Sequence, residues 1–392
     1  MPTVRTEAGV KVMQHDRNAF TRATQLELVG APLSVIGGAD GDAEHELTYA
    51  YYVSLLADGR LATLSPIGNM FYVFGADGKY QRTLGQKGKG PGEYMRPSGN
   101  LLLPGDTLLI TDDANAQISW FHPDKGFIKA KARGTDGRLR MEKAVGVLPG
   151  GNIVVSSSGL VQDGEMLKIT RPPASVAIVS YDGKAVTQFQ VPDLELYKMN
   201  IVMRGRSFPD TRVRGFSPGA VVAAWDSNVV TGTADAYQFD IRNASGAVQS
   251  RVVVNVPRIA VTKAMREARI ERTLQRYRNM PGEGGVKPNL AEVEKAERDL
   301  PVADSLPAYS RFFATPNKTL WVVDAGAPNA AGWTATAFRR DGAIVGRLRV
   351  TGEGMPLAFG NDRVVIRTED EDGVATFTVR RIGVATTKPP QR

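Results

Sequence analysis

The sequence predicts an all-β protein: a six-bladed β-propeller closed by an N-terminal strand, with one small helical insertion between blades 4 and 5. Three observations predict it. Short apolar strands bounded by Asp-Gly, Gly-Gly and Asn-containing turns recur along the chain, the pattern of antiparallel β structure. The turns also repeat, since Gly59, Gly105 and Gly151 stand about 46 residues apart, the length of a four-stranded blade. The repeat breaks once, over residues 259–300.

Taken in order, the strand LELVGAPLSVIGG at 26–38 comes first and has no neighbour of its own. Six inner hairpins follow. They turn at Asp58-Gly59, Pro104-Gly105-Asp106, Pro149-Gly150-Gly151, Asp226-Ser227-Asn228, Pro316-Asn317-Lys318 and Gly360-Asn361-Asp362. The strands leaving them read RLATLS, TLLITD, NIVVSS, VVTGTA, TLWVVD and RVVIRT. Outer hairpins turn at Asp77-Gly78, Lys125-Gly126, Asp182-Gly183, Ser245-Gly246 and Asp341-Gly342. The sixth unit passes Asp372-Gly373 into VATFTVRRIG and then lacks an outer strand. Strand 26–38 supplies it if the ring closes on itself, which removes the free edges of an open sheet. The predicted boundaries are an N-terminal extension over 1–25, the propeller over 26–383 and a C-terminal tail over 384–392.

Within 259–300 the period changes. Val261, Met265, Ala268, Ile270, Leu274 and Tyr277 fall at near-helical spacing, and LAEVEKAERDL reads as a second short helix capped by Asn289.

Composition narrows the function classes. The 392 residues contain no cysteine, which excludes disulfides, thiolate nucleophiles and thiolate metal sites. Hydrophobic residues make up 42% and charged residues 23%, enough for a large core. No stretch approaches the ~18 apolar residues of a membrane-spanning helix. The opening MPTVRTEAGVKVMQHD lacks the apolar segment of a signal peptide, so the residues alone leave a cytoplasmic location or export with a leader removed. A net charge of +8 favours anionic partners, whether acidic proteins, anionic lipid or nucleic acid, or else serves solubility alone.

Residues 85–128 carry a resemblance. The loop GQKGKGPGEY leads into a strand, the Pro104-Gly105-Asp106 turn, a strand ending Asp112-Asp113, then Ser119-Trp120-Phe121 and the turn His122-Pro123-Asp124-Lys125-Gly126. This resembles one blade of the NHL-repeat propellers. The wider order of elements is similar to a group of uncharacterised bacterial six-bladed β-propeller proteins. It runs from VRTEAGVKVM through Ile36-Gly37-Gly38-Ala39-Asp40-Gly41 and the Gly88–Tyr94 loop to a helical insert before Leu306-Pro307-Ala308-Tyr309 and Leu320-Trp321-Val322-Val323. The resemblance covers nearly the whole chain and implies the fold and export from the cytoplasm. It implies no activity. Members usually carry an export signal or a lipoprotein cysteine, and this sequence has neither.

The residues offer little chemistry. Gly90 is followed by Pro91, which lacks a backbone donor, and no Gly-Lys-Ser/Thr follows, so the loop is read as a turn and not a phosphate cradle. His15, His45 and His122 are spread along the chain, and only His45 precedes an inner strand, too few imidazoles for a His-rich metal site. Asp112-Asp113 and Glu369-Asp370-Glu371-Asp372 read as solvated turn residues before calcium ligands. Tyr51, Tyr52, Arg96, Arg214, Tyr309 and Arg311 are placed near the central channel, where they line a polar, water-filled passage or bind an anionic group. The best candidate is the insert. Arg266, Arg269, Arg272 and Arg276 recur at three- and four-residue spacing and share a face, with Lys263 and Arg278 nearby. They either pair with the acidic second helix through Glu292, Glu294, Glu297 and Asp299, or dock an acidic surface or anionic headgroups.

The expected function is therefore a non-catalytic interaction module. It would be an accessory subunit of a larger exported or membrane-associated bacterial complex; a light-harvesting or electron-transfer complex would serve as host, though no residue selects it. No catalytic, metal or cofactor site is expected, and no nucleic acid, since no aromatic platform accompanies the basic stripe. The expected location is periplasmic or otherwise extracytoplasmic. The competing readings are a propeller hydrolase or lyase, and a solute- or glycan-binding protein, each using the channel mouth.

Overall fold

Asp-Gly and Gly-Gly pairs turn the chain back at successive hairpins, and the computed structural model shows the product, six four-stranded blades in a ring. The structure describes residues 1–38, 47, 50, 52–65, 68–132, 143–159, 165–181, 184–203, 205–279, 288–328, 330–352, 354–370 and 374–385. The predicted turn at Asp182-Gly183, His45, Tyr51, Glu371-Asp372 and most of the C-terminal tail lie outside these residues. Blades 1 to 5 occupy 53–84, 97–132, 143–192, 221–254 and 309–351, and blade 6 begins at 355. The innermost strand of each blade touches that of the next all the way round, including the last with the first.

The second strands of the blades are largely buried because neighbouring blades cover both their faces. Leu61–Ser65 and Asn228–Gly232 are buried at every residue. Outer strands such as Ile344–Thr351 alternate instead. One apolar cluster fills each interface between consecutive blades. Phe71, Tyr94 and Phe121 lie between blades 1 and 2, Trp225, Phe239 and Phe338 between 4 and 5, and Leu61, Phe74 and Phe377 between 6 and 1. Each such side chain contributes roughly 1.5–3 kcal/mol by leaving water. Two tyrosines lock neighbouring blades. Tyr94, just before blade 2, donates its hydroxyl to Leu84 O and accepts from Phe71 N at 3.0 Å in blade 1. Tyr309, opening blade 5, does the same to Gln238 O at 2.5 Å and Ala234 N at 3.3 Å in blade 4.

The strand Gln25–Gly37 closes the ring as expected. It pairs antiparallel with Ala375–Val384 from Leu26↔Val384 to Gly37↔Thr376 and so becomes the outer strand of blade 6. It also meets blade 5 in parallel at Arg347↔Gln25 and Leu348↔Leu26, which joins blades 5 and 6 into one eight-stranded sheet.

The preceding residues are ordered too. Thr3–Glu7 and Val10–His15 form a hairpin whose second strand lies parallel to Val248–Val254, widening blade 4 to six strands. The short helix Ala19–Arg22 then crosses blade 5, with Phe20 beneath the Arg347 guanidinium at 4.0 Å and against Tyr237 at 4.9 Å. The N-terminal 37 residues are thus a clasp over blades 4, 5 and 6. Glycines make room for it. At Gly342, φ is +76°, and a Cβ would stand 2.7 Å from Met13 Sδ; at Gly78, φ is +84° and a Cβ would stand 2.5 Å from Val35 O.

His15, a tail residue in the sequence reading, is buried in this clasp with Nε2 2.7 Å from Gly342 O. Burial lowers its pKa below 6.5, partly offset by the carbonyl. The folded state therefore binds fewer protons than the unfolded chain, so stability is complete above pH 6.5 and declines as pH falls from there through the lowered folded value. Urea titrations at pH 7.5 and 5.5 should show a smaller loss for His15→Gln than for the parent; equal losses would refute the assignment.

The helical insertion is present as Lys263–Asn279 and Leu290–Asp299, between blades 4 and 5. A second outgrowth carries no sequence expectation: Leu196–Met203 and Arg206–Val213, between blades 3 and 4, form a separate three-stranded sheet with Ile169–Thr170, which leaves blade 3 between its second and third strands. Pro209 on its edge strand supplies no N–H, which blunts that edge.

Candidate functional site

In a meander of four strands, the start of strand one, the end of strand two and the start of strand three share a rim. The three-stranded sheet and both insert helices leave the ring at such points, so they rise from one rim and meet. Met199, Ile201 and Tyr197 of the sheet pack on Ala296 and Leu300 of the second helix. Ile270 and Leu274 of the first helix pack on Val293. Thr262 Oγ1 accepts from Met265 N at the start of the first helix, and Asn289 Oδ1 accepts from Ala291 N at the start of the second.

Glu297 joins the two outgrowths. Its carboxylate, 7% exposed as a residue, accepts from Arg212 Nη1 of the sheet at 3.1 Å and from Arg269 Nη1 of the first helix at 2.5 Å. Arg269 Nη2 adds a bond to Glu297 O at 3.0 Å. Gly205 N donates to Glu292, and Gly215 exchanges backbone bonds with Pro301 and Ala303. A buried carboxylate is costly unless it is paired and hydrogen-bonded, and here each oxygen of Glu297 accepts from one guanidinium.

This arrangement divides the predicted arginine face. Arg269 is committed to Glu297 and fastens the platform, so it is corrected from a docking residue to a structural one. Arg266, Arg272 and Arg276 are exposed and make no ion pair among the described residues. The acidic second helix does not neutralise them, because its carboxylates go elsewhere: Glu294 to Arg298 and Asp299 to Lys295. Arg278 is taken by Glu271 and Arg298 also by Glu267. A cleft of about 290 Å³ lies between the first helix and blade 5, lined by Phe216, Arg269, Arg272, Leu306, Pro307, Ser310 and Pro328 among others.

The channel residues separate likewise. Arg311 lies on the innermost strand of blade 5 and reaches Pro356 O of blade 6 at 3.3 Å. Tyr52 is half-buried at the start of blade 1, its pKa raised by burial and by the Asp113 charge. Arg96 is exposed on the rim just before Pro97–Leu103. Arg214 is not on an innermost strand; it pairs with Glu195 at 2.7 Å and donates to Val302 O at the platform's base, a correction to its channel placement. Tyr309 is the buried lock described above. Lys143, which opens the innermost strand of blade 3, was not singled out by the sequence. It begins an innermost strand as Arg311 lies on one, and it is exposed at that strand's end.

The glycine loop is filled by its own chain. Glu93 accepts from Gly90 N and Gln86 Nε2, both at 2.7 Å, and a Cβ on Gly88 would fall 2.0 Å from Glu93 Oε2. A carboxylate occupies the place a phosphate would need, and the backbone donor holds its pKa low. Asp112 is 1% exposed and caps the loop by accepting from Met95, Arg96 and Ala114 amides. His122 sits in an outer turn, accepting from Asp124 N. Among the described residues, no three His, Asp or Glu side chains gather as metal ligands.

A family model described as a six-bladed β-propeller matches residues 51–126. No curated protein matches the chain in sequence. Among solved structures, a protein described as exported from Bacteroides fragilis is 11% identical with a TM-score of 0.48, covering 96% of this chain and 100% of that one. A virginiamycin B lyase from Staphylococcus aureus is 11% identical with a TM-score of 0.40, covering 88% and 98%. A gluconolactonase from Xanthomonas campestris is 14% identical with a TM-score of 0.41, covering 90% and 99%.

Proposed function

We propose that the chain is a non-catalytic propeller interaction module, an NHL-repeat-like accessory subunit of a larger exported or membrane-associated bacterial complex. It binds its partner through the rim that carries the platform. One observation supports this most. Two outgrowths separated in sequence by blade 4 pack into a single body, which a plain ring does not need for its own closure. That body presents Val202, Met203 and Phe208 at its hairpin tip, each 38–40% exposed, and Arg266, Arg272 and Arg276 on its helix. Apolar tips rimmed by exposed cations suit a protein surface bearing carboxylates, or a membrane-embedded partner among anionic headgroups.

The test is size in the native setting. Extracted with mild detergent from cells that make it, the chain should elute in an assembly larger than its own 42.3 kDa. Met203→Asp with Phe208→Asp should release it as a monomer while leaving the ring folded. A parent chain recovered only as a monomer would sink the reading.

A further inference from the structure

Resting on the interaction-module reading, the geometry points to the cleft between helix Lys263–Asn279 and blade 5 as a binding site for one acidic–apolar peptide segment of the partner. Its volume of about 290 Å³ is at the small end for ligand sites, room for a pair of side chains and not for a large cofactor. Its floor is apolar, from Phe216, Leu306, Pro307 and Pro328, and among the described residues no carboxylate lines it. The two guanidiniums on its wall are unequal. Arg269 is held in place and neutralised by Glu297, whereas Arg272 has no acidic partner among the described residues. Ser310 stands at the register shift between Tyr309 and Arg311, where the bulge re-aims its side chain, and it also lines the cleft.

An occupant must therefore bring one carboxylate for Arg272 and an adjoining apolar group for the floor. A segment of protein chain with an acidic residue beside an apolar one does both. A lipid headgroup layer meets the exposed Arg266 and Arg276 but projects no side chain into a recess. The charge of the whole chain, +8, adds long-range attraction for such a segment.

Random ten-residue peptides displayed on phage and selected on the immobilised full chain are the probe. Selection should enrich an acidic residue next to an apolar one. Synthetic peptides of the enriched sequence should bind Arg272→Glu and the cleft-filling Ala325→Phe about tenfold or more weakly than the parent, a change of about 1.4 kcal/mol. Lys263→Glu makes the same charge change on the helix away from the cleft and should alter binding less than about twofold, as expected of a solvent-screened charge. No enrichment, a basic consensus, equal weakening by Lys263→Glu, or indifference to Ala325→Phe would each overturn the proposal. So would binding of the chain to anionic phospholipid vesicles that depends on Arg272 while no peptide is selected. If selection fails but the large native assembly persists, only the cleft is rejected; a monomer in cells rejects the broader reading.

Discussion

A chain lacking residues 1–37 is expected to lose cooperative folding. The deletion removes the outer strand of blade 6 and leaves Ala375–Val384 as a long unpaired edge, open to aggregation. It also strips Ile36 from the interface of blades 6 and 1 and Met13 from that of blades 4 and 5, each 1% exposed. At roughly 1.5–3 kcal/mol per buried side chain, these two with their neighbours approach the whole ~5–15 kcal/mol margin of a folded protein. Attachment matters less than position. Leu26 is the register partner of Val384, and Ala385 N donates to Gln25 O, so the two strands lie where a tight turn would join them. A permutant carrying 25–38 after residue 385 should regain a single thermal transition by circular dichroism, at a lower Tm because the blade 4 hairpin is still missing. A truncated chain melting at the parent's Tm would show that the clasp is dispensable.

Trp225→Ala should be the most damaging single substitution of those considered, costing about 3–5 kcal/mol. The indole is 1% exposed in the cluster between blades 4 and 5, and its Nε1 donates to Lys318 O at 2.9 Å in the inner turn of blade 5. Alanine would open a cavity and free that carbonyl together. Trp225→Phe separates the terms: it keeps most of the volume and should cost about 1–2 kcal/mol, from the lost hydrogen bond and a smaller packing defect. Chemical denaturation of both variants measures the difference. Equal effects would mean the packing account is wrong.

The glycine-rich loop shows how far local pattern reaches. Pro91 already argues against a phosphate cradle, and the structure supplies the reason in Glu93, whose carboxylate fills the loop. The spare strand at 26–38 was legible by counting hairpins, because an unmatched outer strand leaves an edge that only one segment is available to cover. The hairpin at 3–15 was not, since its pairing with Val248–Val254 is parallel and joins segments far apart in the chain. The hairpin at 196–213 escaped for a different reason. Its strands are mostly exposed on one face and contain Pro209, so they lack the apolar signal of a blade. Lys143 carried no signal at all, for nothing near it in sequence marks it as opening an innermost strand.

From the residues alone came the blades, their turns, the closing strand and the helical insert. Positive φ at glycines and the alternation of side chains along a strand act within a few residues, so they are written locally. Only the tertiary structure decided which arginines of the insert look outward. Arg269 and Arg212 both end on Glu297, and Arg212 lies 85 residues from it. That choice depends on which distant carboxylate the fold brings within reach, and among the described residues it leaves Arg272, beside the cleft, without an acidic partner.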